Sequence, residues 1–112
     1  MEQTGTSADP GDSAVVTDNP AASRFELHVG GELAGFVVYR IRGQAIDLVH
    51  TEVDPRFQGG GLASRLAKAS LDDARARHLA VLATCPYIRS WIRKHPDYAD
   101  LLPAGRDAGP AR

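Results

Sequence analysis

The sequence predicts an α+β domain: a mixed, mostly antiparallel sheet with one β-α-β crossover and two main helices. Three observations predict it. Residues 25–53 hold three apolar runs of strand character, separated by the turns Gly30-Gly31-Glu32 and Arg42-Gly43-Gln44. The period then becomes helical from Leu62 to Arg77. A short apolar run, Leu79–Thr84, follows that helix, and a strand–helix–strand order implies a parallel pair with a right-handed crossover.

Each element has its own signal. Met1–Ala22 contains no Leu, Ile, aromatic, Lys or Arg residue, so it buries too little apolar area to offset the entropy of ordering. Residues 103–112 read the same way. The expected organisation is a disordered tail at 1–22, one domain at 23–102 and a second tail at 103–112. Phe25, Leu27 and Val29 alternate with Glu26 and His28, the pattern of a half-buried strand. Gly35–Ile41 is apolar on both faces, as a central strand is. Ala45–Val53 forms a third strand, with Ile46, Leu48, His50 and Glu52 on one face. Ala45, Asp47, Val49, Thr51 and Val53 lie on the other.

Leu62–Arg77 lacks Gly and Pro and is rich in good helix formers. Its stripe Ala63, Leu66, Ala67, Ser70 and Ala74 lets it approach a sheet closely. Leu79–Thr84 ends at Cys85-Pro86. Tyr87–Lys94 reads as a second helix, with Ile88, Trp91 and Ile92 at i, i+3, i+4, and Pro96 stops it. Tyr98–Leu102 is expected to be a last helical turn that brings Leu101 or Leu102 to the core. The sheet should have about four strands.

Composition narrows the function. The chain has 112 residues, which suits a single domain. A net charge of −1 gives no electrostatic footprint for nucleic acid. The single cysteine leaves no disulfide framework and no cysteine-cluster zinc site. His28, His50, His78 and His95 have no paired spacing, so no metal is expected. The first residues lack the basic start and apolar core of a signal peptide, and no apolar run approaches the ~20 residues of a membrane helix. A soluble, cytoplasmic protein is the expectation.

The most informative stretch is Val53-Asp54-Pro55-Arg56-Phe57-Gln58-Gly59-Gly60-Gly61-Leu62-Ala63, a glycine turn at a strand-to-helix junction. Such a turn exposes backbone N–H groups at the positive end of a helix dipole, which suits a phosphate. A P-loop is excluded, because Leu62-Ala63 stands where Lys-Ser/Thr is required. A dinucleotide fingerprint fits poorly, because Cys85 stands where an acid is required and the preceding strands are antiparallel. A pyrophosphate held by a lone strand-to-helix turn remains, beside the alternative of a glycine turn with no ligand.

At this point the residues resemble a known family. Arg56-Phe57-Gln58-Gly59-Gly60-Gly61 is similar to the acetyl-CoA loop of GNAT-type N-acetyltransferases (Gln or Arg, two residues, Gly, one residue, Gly or Ala). His50-Thr51-Glu52, Cys85-Pro86-Tyr87 and His95-Pro96-Asp97-Tyr98 resemble segments of a small, single-domain branch of it, so the likeness runs from Phe25 to Leu102. The resemblance implies a minimal GNAT-like fold and an acetyl-CoA-dependent transfer of acetyl to an amine, carried by a small molecule, peptide or protein. No nucleic-acid or membrane partner is implied. It implies that Val53 and Asp54 meet the pantetheine arm and that Arg56, Gln58, Gly59, Gly60, Gly61, Leu62 and Ala63 surround the pyrophosphate. His95 becomes a further coenzyme-side contact, or simply the helix stop. One departure stands out: Gly60 occupies a place that is commonly basic or polar, and Arg56 and Arg65 are expected to supply charge instead.

Amine acetylation needs a neutral nucleophile, and deprotonating a lysine at pH 7 costs about 4.6 kcal/mol. A general base is therefore sought where the parallel strands part. His50 and Glu52 are candidates; each also reads as an ordinary strand residue. Cys85 is a candidate nucleophile for a ping-pong step at the start of a helix, or else a buried, inert thiol. By the same resemblance, many GNAT enzymes place a tyrosine acid in that helix, where this chain has Trp91 or Ile92. Tyr87 or Tyr98 is left to substitute, although Tyr98 also fits as a core aromatic against Trp91. A CoA- or acyl-CoA-binding module without efficient catalysis is the alternative.

Overall fold

The computed structural model describes residues 14–103. Five strands form one sheet: β1 (Ala14–Asn19), β2 (Arg24–Val29), β3 (Glu32–Arg42), β4 (Ala45–Val53) and β5 (Ala80–Ala83). They lie in that order across the sheet. The first four are antiparallel neighbours, and β5 pairs with β4 in parallel. Helix α1 (Leu62–Ala76) makes the crossover, and α2 (Pro86–Lys94) follows β5. Short 3-10 turns span Pro20–Ala22, Pro55–Phe57 and Pro96–Leu101. No helix among the described residues is long and apolar enough to cross a membrane.

The two early turns follow from their glycines. Gly30 and Gly31 both have positive φ, at 58° and 85°, so the β2–β3 connection closes in two residues. The apolar, two-sided β3 is the central strand, as its composition predicts. Helix α1 buries Leu62, Leu66, Ala67, Ser70, Leu71 and Ala74 against the sheet. The buried Ser70 hydroxyl is satisfied by donating to the Leu66 carbonyl at 2.7 Å. Gly35 leaves no room for a side chain between the sheet and the helix. A Cβ there would lie 2.7 Å from the Glu52 carbonyl oxygen and 3.2 Å from both Leu66 and Val53 side chains.

Two expectations need correction. The tail expected at 1–22 is structured from Ala14 onward: β1 pairs with β2 from Ala14↔Val29 to Asn19↔Arg24. An edge strand needs only one inward stripe, and Ala14 and Val16 supply it against the core. Residues 1–13 and 104–112, the remainder of the expected tails, lie outside the described residues.

The second correction concerns the face of β4. Tyr39 pairs with Leu48 and Val38 with His50, so Val49 is an extra residue, a β-bulge. Ile46 and Leu48 face the helices before the bulge, and Thr51 and Val53 do so after it. His50 and Glu52 are thereby carried to the opposite face, away from Ile46 and Leu48.

Both helices pack from one side around a single core. The other face of the sheet carries Arg24, Glu26, His28, Phe36, Val38, His50 and Glu52, none of them fully buried. Polar pairs populate it. Glu26 accepts from Arg24 at 2.7 Å and from Asn19 at 3.1 Å, and these bonds hold its pKa below the usual carboxylate value.

β1 is fastened to the sheet by Tyr39, whose hydroxyl donates to Asp18 at 2.7 Å. Burial, and then this bond, push the phenol's pKa up to about 12. The neutral phenol is the form that folding favours. Its contribution is therefore complete below the unfolded value of ~10 and is lost as pH rises from there to about 12. Tyr39→Phe should cost roughly 0.5–1.5 kcal/mol at neutral pH. It should also make the alkaline loss of stability shallower than in the parent, measured by urea unfolding at pH 8, 10 and 11.5. Parallel pH profiles would overturn the assignment.

Candidate functional site

The site begins where β4 and β5 part. Their parallel ladder runs from Ala45↔Ala80 to Leu48↔Ala83, and its last bond is from the Cys85 N–H to the Leu48 carbonyl, at 2.8 Å. Pro86 has no N–H and occupies the first turn of α2, so the chain leaves the sheet there. β4 continues to Val53. The two arms diverge and leave a wedge on the helix side of the sheet.

A cavity of about 320 Å³ fills this wedge, lined by Thr51, Val53, Gln58, Gly59, Gly61, Leu62, Ala63, Ser64 and Tyr87. The glycine loop forms one end. Gly59 and Gly61 have φ of 92° and 74°, and a Cβ at either would project into open space. Gly61 is also the N-cap of α1, which has no side-chain cap and no acidic residue in its first turn. The first amides of a 15-residue helix are therefore left for an external acceptor, at the end where the dipole is positive. The loop's shape is held from below: Gln58 donates to the Val53 carbonyl at 3.2 Å, and Asp54 accepts from the Arg56 N–H at 2.9 Å.

Arg56 does not supply free charge. Its guanidinium bonds Asp54 at 3.2 and 3.3 Å and Glu32 at 2.8 Å, and it holds the Asp54 carboxyl below the usual range. Any anion at this loop meets backbone dipoles first. Gly60 has φ outside the left-handed range and ordinary space around it. It does not line the cavity, unlike its two neighbours.

The remaining expected residues divide between two faces. Thr51 and Val53 line the cavity. His50 and Glu52, one residue along, point to the open face, where His50 Nε2 donates to Glu52 Oε1 at 3.1 Å. Their side chains are 57% and 60% exposed. In the neutral ring this bond leaves Nδ1 as the proton acceptor. Cys85 is 3% exposed, belongs to the core and lies 3.4 Å from the Thr51 hydroxyl. It caps α2 through its position only, with no side-chain cap bond.

His95 is not brought into the cavity. Its Nδ1–H donates to the Trp91 carbonyl at 2.8 Å, and its ring stacks on Trp91 with centroids 3.7 Å apart. It terminates α2, at the opposite end from Cys85. Of the two tyrosines, Tyr98 is a core residue: it meets Trp91 edge-on at 5.2 Å and donates to Asp72 at 2.8 Å. Tyr87 is the one in the cavity wall, and burial raises its pKa. Trp91, where a tyrosine was sought, instead donates to Ser64 at 2.8 Å and ties α2 to the first turn of α1.

Sequence reasoning missed Thr51 and Ser64. Both line the cavity, and Thr51 does so only because the bulge at Val49 turns it inward. Among the described residues no group of three or more His, Cys, Asp or Glu side chains suits a metal.

The loop geometry is testable without a ligand. Gly61→Ala forces an alanine to a φ of 74° but meets no atom. The expected cost is about 1–2 kcal/mol by denaturant unfolding. Gly60→Ala, outside the left-handed region and in ordinary space, should instead stabilise by about 0.4–1 kcal/mol. Equal costs at the two positions would contradict the backbone described.

The family model described as GCN5-related N-acetyl-transferase matches residues 24–101. Protein NATD1 of Xenopus tropicalis is 32% identical over 92 residues, which cover 80% of this chain and 84% of that one. Protein NATD1 of Homo sapiens is 39% identical over 61 residues, 54% of each chain, so the chain spans about half the length of that relative. The fold matches that of a GCN5-like protein from Staphylococcus aureus, with a TM-score of 0.63 and 22% identity over 80% of this chain and 88% of that one. It also matches a ribosomal-protein-alanine N-acetyltransferase from Brucella melitensis, with a TM-score of 0.55 and 22% identity over 63% and 58%. The family match spans the whole sheet-and-crossover unit apart from β1, and the chain belongs to the GCN5-related N-acetyltransferase family.

Proposed function

We propose that this protein transfers acetyl from acetyl-CoA to a primary amine. The observation that carries the reading is the cavity between the parted strands, with uncapped α1 amides and two open glycines at its end. The residues fit the ligand. The amides of Leu62, Ala63 and Ser64, with Gly59 and Gly61, would hold the pyrophosphate. Thr51 and Val53 would flank the pantetheine arm. Bound acetyl-CoA would supply an activated acyl carbon and a thiolate leaving group.

The chain's own contribution is a proton acceptor on the far side of the wedge. Glu52 fixes the His50 tautomer, and Nδ1 would accept the amine proton. Tyr87, a neutral phenol in the cavity wall, would be the group to offer a proton to the departing thiolate. We place the transfer directly between thioester and amine. The Cys85 thiol is 3% exposed and faces Thr51, so it is poorly placed to attack. The acceptor is left broad, from a small amine to a protein lysine, and a cytoplasmic setting is part of the same proposal.

The competing reading is a CoA-binding module without efficient catalysis. Trp91, packed on Ser64 where larger relatives carry an acid, favours it.

Acetyl-CoA at about 100 times Kd should stabilise the protein by about 2.7 kcal/mol, a shift of several degrees in Tm. No shift at millimolar acetyl-CoA would sink both readings. A shift without thiol release across an amine panel would favour the binding module. If transfer occurs, His50→Ala should lower kcat by ~10²-fold or more while the acetyl-CoA shift persists. Glu52→Gln should fall between the two. Unchanged turnover in both variants would remove them from the mechanism, and an acetyl adduct on Cys85 by intact mass would restore the ping-pong route.

A further inference from the structure

We infer that the Thr51–Cys85 contact sets the acyl-chain length this site accepts, restricting it to two or three carbons. The inference rests on the acetyl-CoA reading above and adds a selectivity to it.

The wedge between β4 and β5 has its apex at Leu48, whose carbonyl takes the last ladder bond from the Cys85 N–H. Immediately beyond that bond, the side chains of Thr51 on one arm and Cys85 on the other meet at 3.4 Å and bridge the gap. Thr51 lines the cavity and Cys85 does not, so the pair forms the cavity's floor, with Thr51 on the ligand side. Cys85 is itself core: it is 3% exposed, belongs to the same buried cluster as Leu48 and Ile88, and its N–H is bonded to Leu48. The floor therefore has nothing soft to retreat into, and extra methylenes driven against such a core are resisted.

The opposite end of the cavity fixes the direction of the ligand. The pyrophosphate is held at the α1 amides, so an extended pantetheine running along Val53 and Thr51 delivers its thioester toward the apex. The group beyond the thioester carbonyl then faces Thr51, with Tyr87 on the other wall. An acetyl methyl needs no displacement of the floor. A chain of four or more carbons has to separate Thr51 from Cys85 or turn back toward solvent.

Removing floor atoms should convert resistance into room. Cys85→Ala deletes the sulfur next to apolar core and leaves a small apolar hollow, the kind of space that takes up alkyl groups rather than water. Thr51→Ala opens the same route from the ligand side. Thr51→Val keeps the shape of the floor and removes only the hydroxyl, so it separates steric closure from the hydrogen bond.

Calorimetric titration with CoA, acetyl-CoA, butyryl-CoA and hexanoyl-CoA tests this without relying on turnover. In the parent, hexanoyl-CoA should bind at least tenfold more weakly than acetyl-CoA. Cys85→Ala and Thr51→Ala should each reduce that ratio to threefold or less, and Thr51→Val should retain the parent ratio. Equal binding of acetyl- and hexanoyl-CoA by the parent would overturn the inference. So would an unchanged ratio in both alanine variants when each still binds acetyl-CoA. CoA itself separates the two levels: if CoA and its thioesters all fail to bind, the coenzyme reading is lost and the inference with it. If CoA binds and only the chain-length pattern fails, the inference alone is lost.

Discussion

The parting of β4 from β5 is the constraint on which the rest of the molecule depends. Two local features produce it. Pro86 cannot donate to a ladder and already has the φ of a helix, so the chain must leave the sheet after Cys85. Val49 adds a residue to β4 at nearly the same level, which bends that strand and increases its twist. Neither would suffice alone. A straight β4 would leave a flat edge beside the departing chain, and an unbroken β5 would follow the bend and close the gap. Together they open a wedge whose apex remains tied by the Cys85–Leu48 bond.

The glycine loop illustrates a second economy of means. Three successive glycines are costly to order on folding. Here the loop is clamped on its N-terminal side by Asp54, Arg56 and Glu32, outside the cavity, and by the Gln58–Val53 bond in its wall. The charged groups thus shape the loop and are consumed in doing so. The cavity lining carries no charged side chain: the glycine backbone meets the side chains of Thr51, Gln58, Ser64 and Tyr87. Recognition of an anion by fixed amides depends on geometry more than on net charge, which is consistent with a chain whose formal charge is −1.

Much of this was legible in the sequence, but unevenly. The strands, the crossover and the two helices follow from periodicity, and the loop follows from glycines whose positive φ is a local property. The edge strand β1 was not legible, because Ala14-Val15-Val16 is followed by Thr17-Asp18-Asn19 and its stability comes from pairing with β2 and from Tyr39 reaching Asp18. The bulge was not legible either. Valine is a good strand residue, and nothing local marks Val49 as extra. That one residue decides which of His50, Thr51, Glu52 and Val53 lines the cavity, so Thr51 was overlooked. His95 was misplaced for a different reason: the His-Pro signal is a helix stop, and its ring is spent on Trp91.

The same bulge ties the two faces of the sheet to one chemistry. Because Thr51 and His50 are adjacent, the segment that walls the cavity on one side presents the proposed base on the other. The helices cover only the cavity side. On the open side Phe36 is sheltered by small polar means, with the Arg24 guanidinium 4.7 Å above its ring and His50 at 6.4 Å. Those groups are paired with Glu26 and Glu52, and neither helix packs on this face. His50 therefore stands beside the cavity, on the opposite face of the sheet from Thr51. Strand divergence provides the cavity itself. The floor that closes its apex is built from the two residues where the arms last touch.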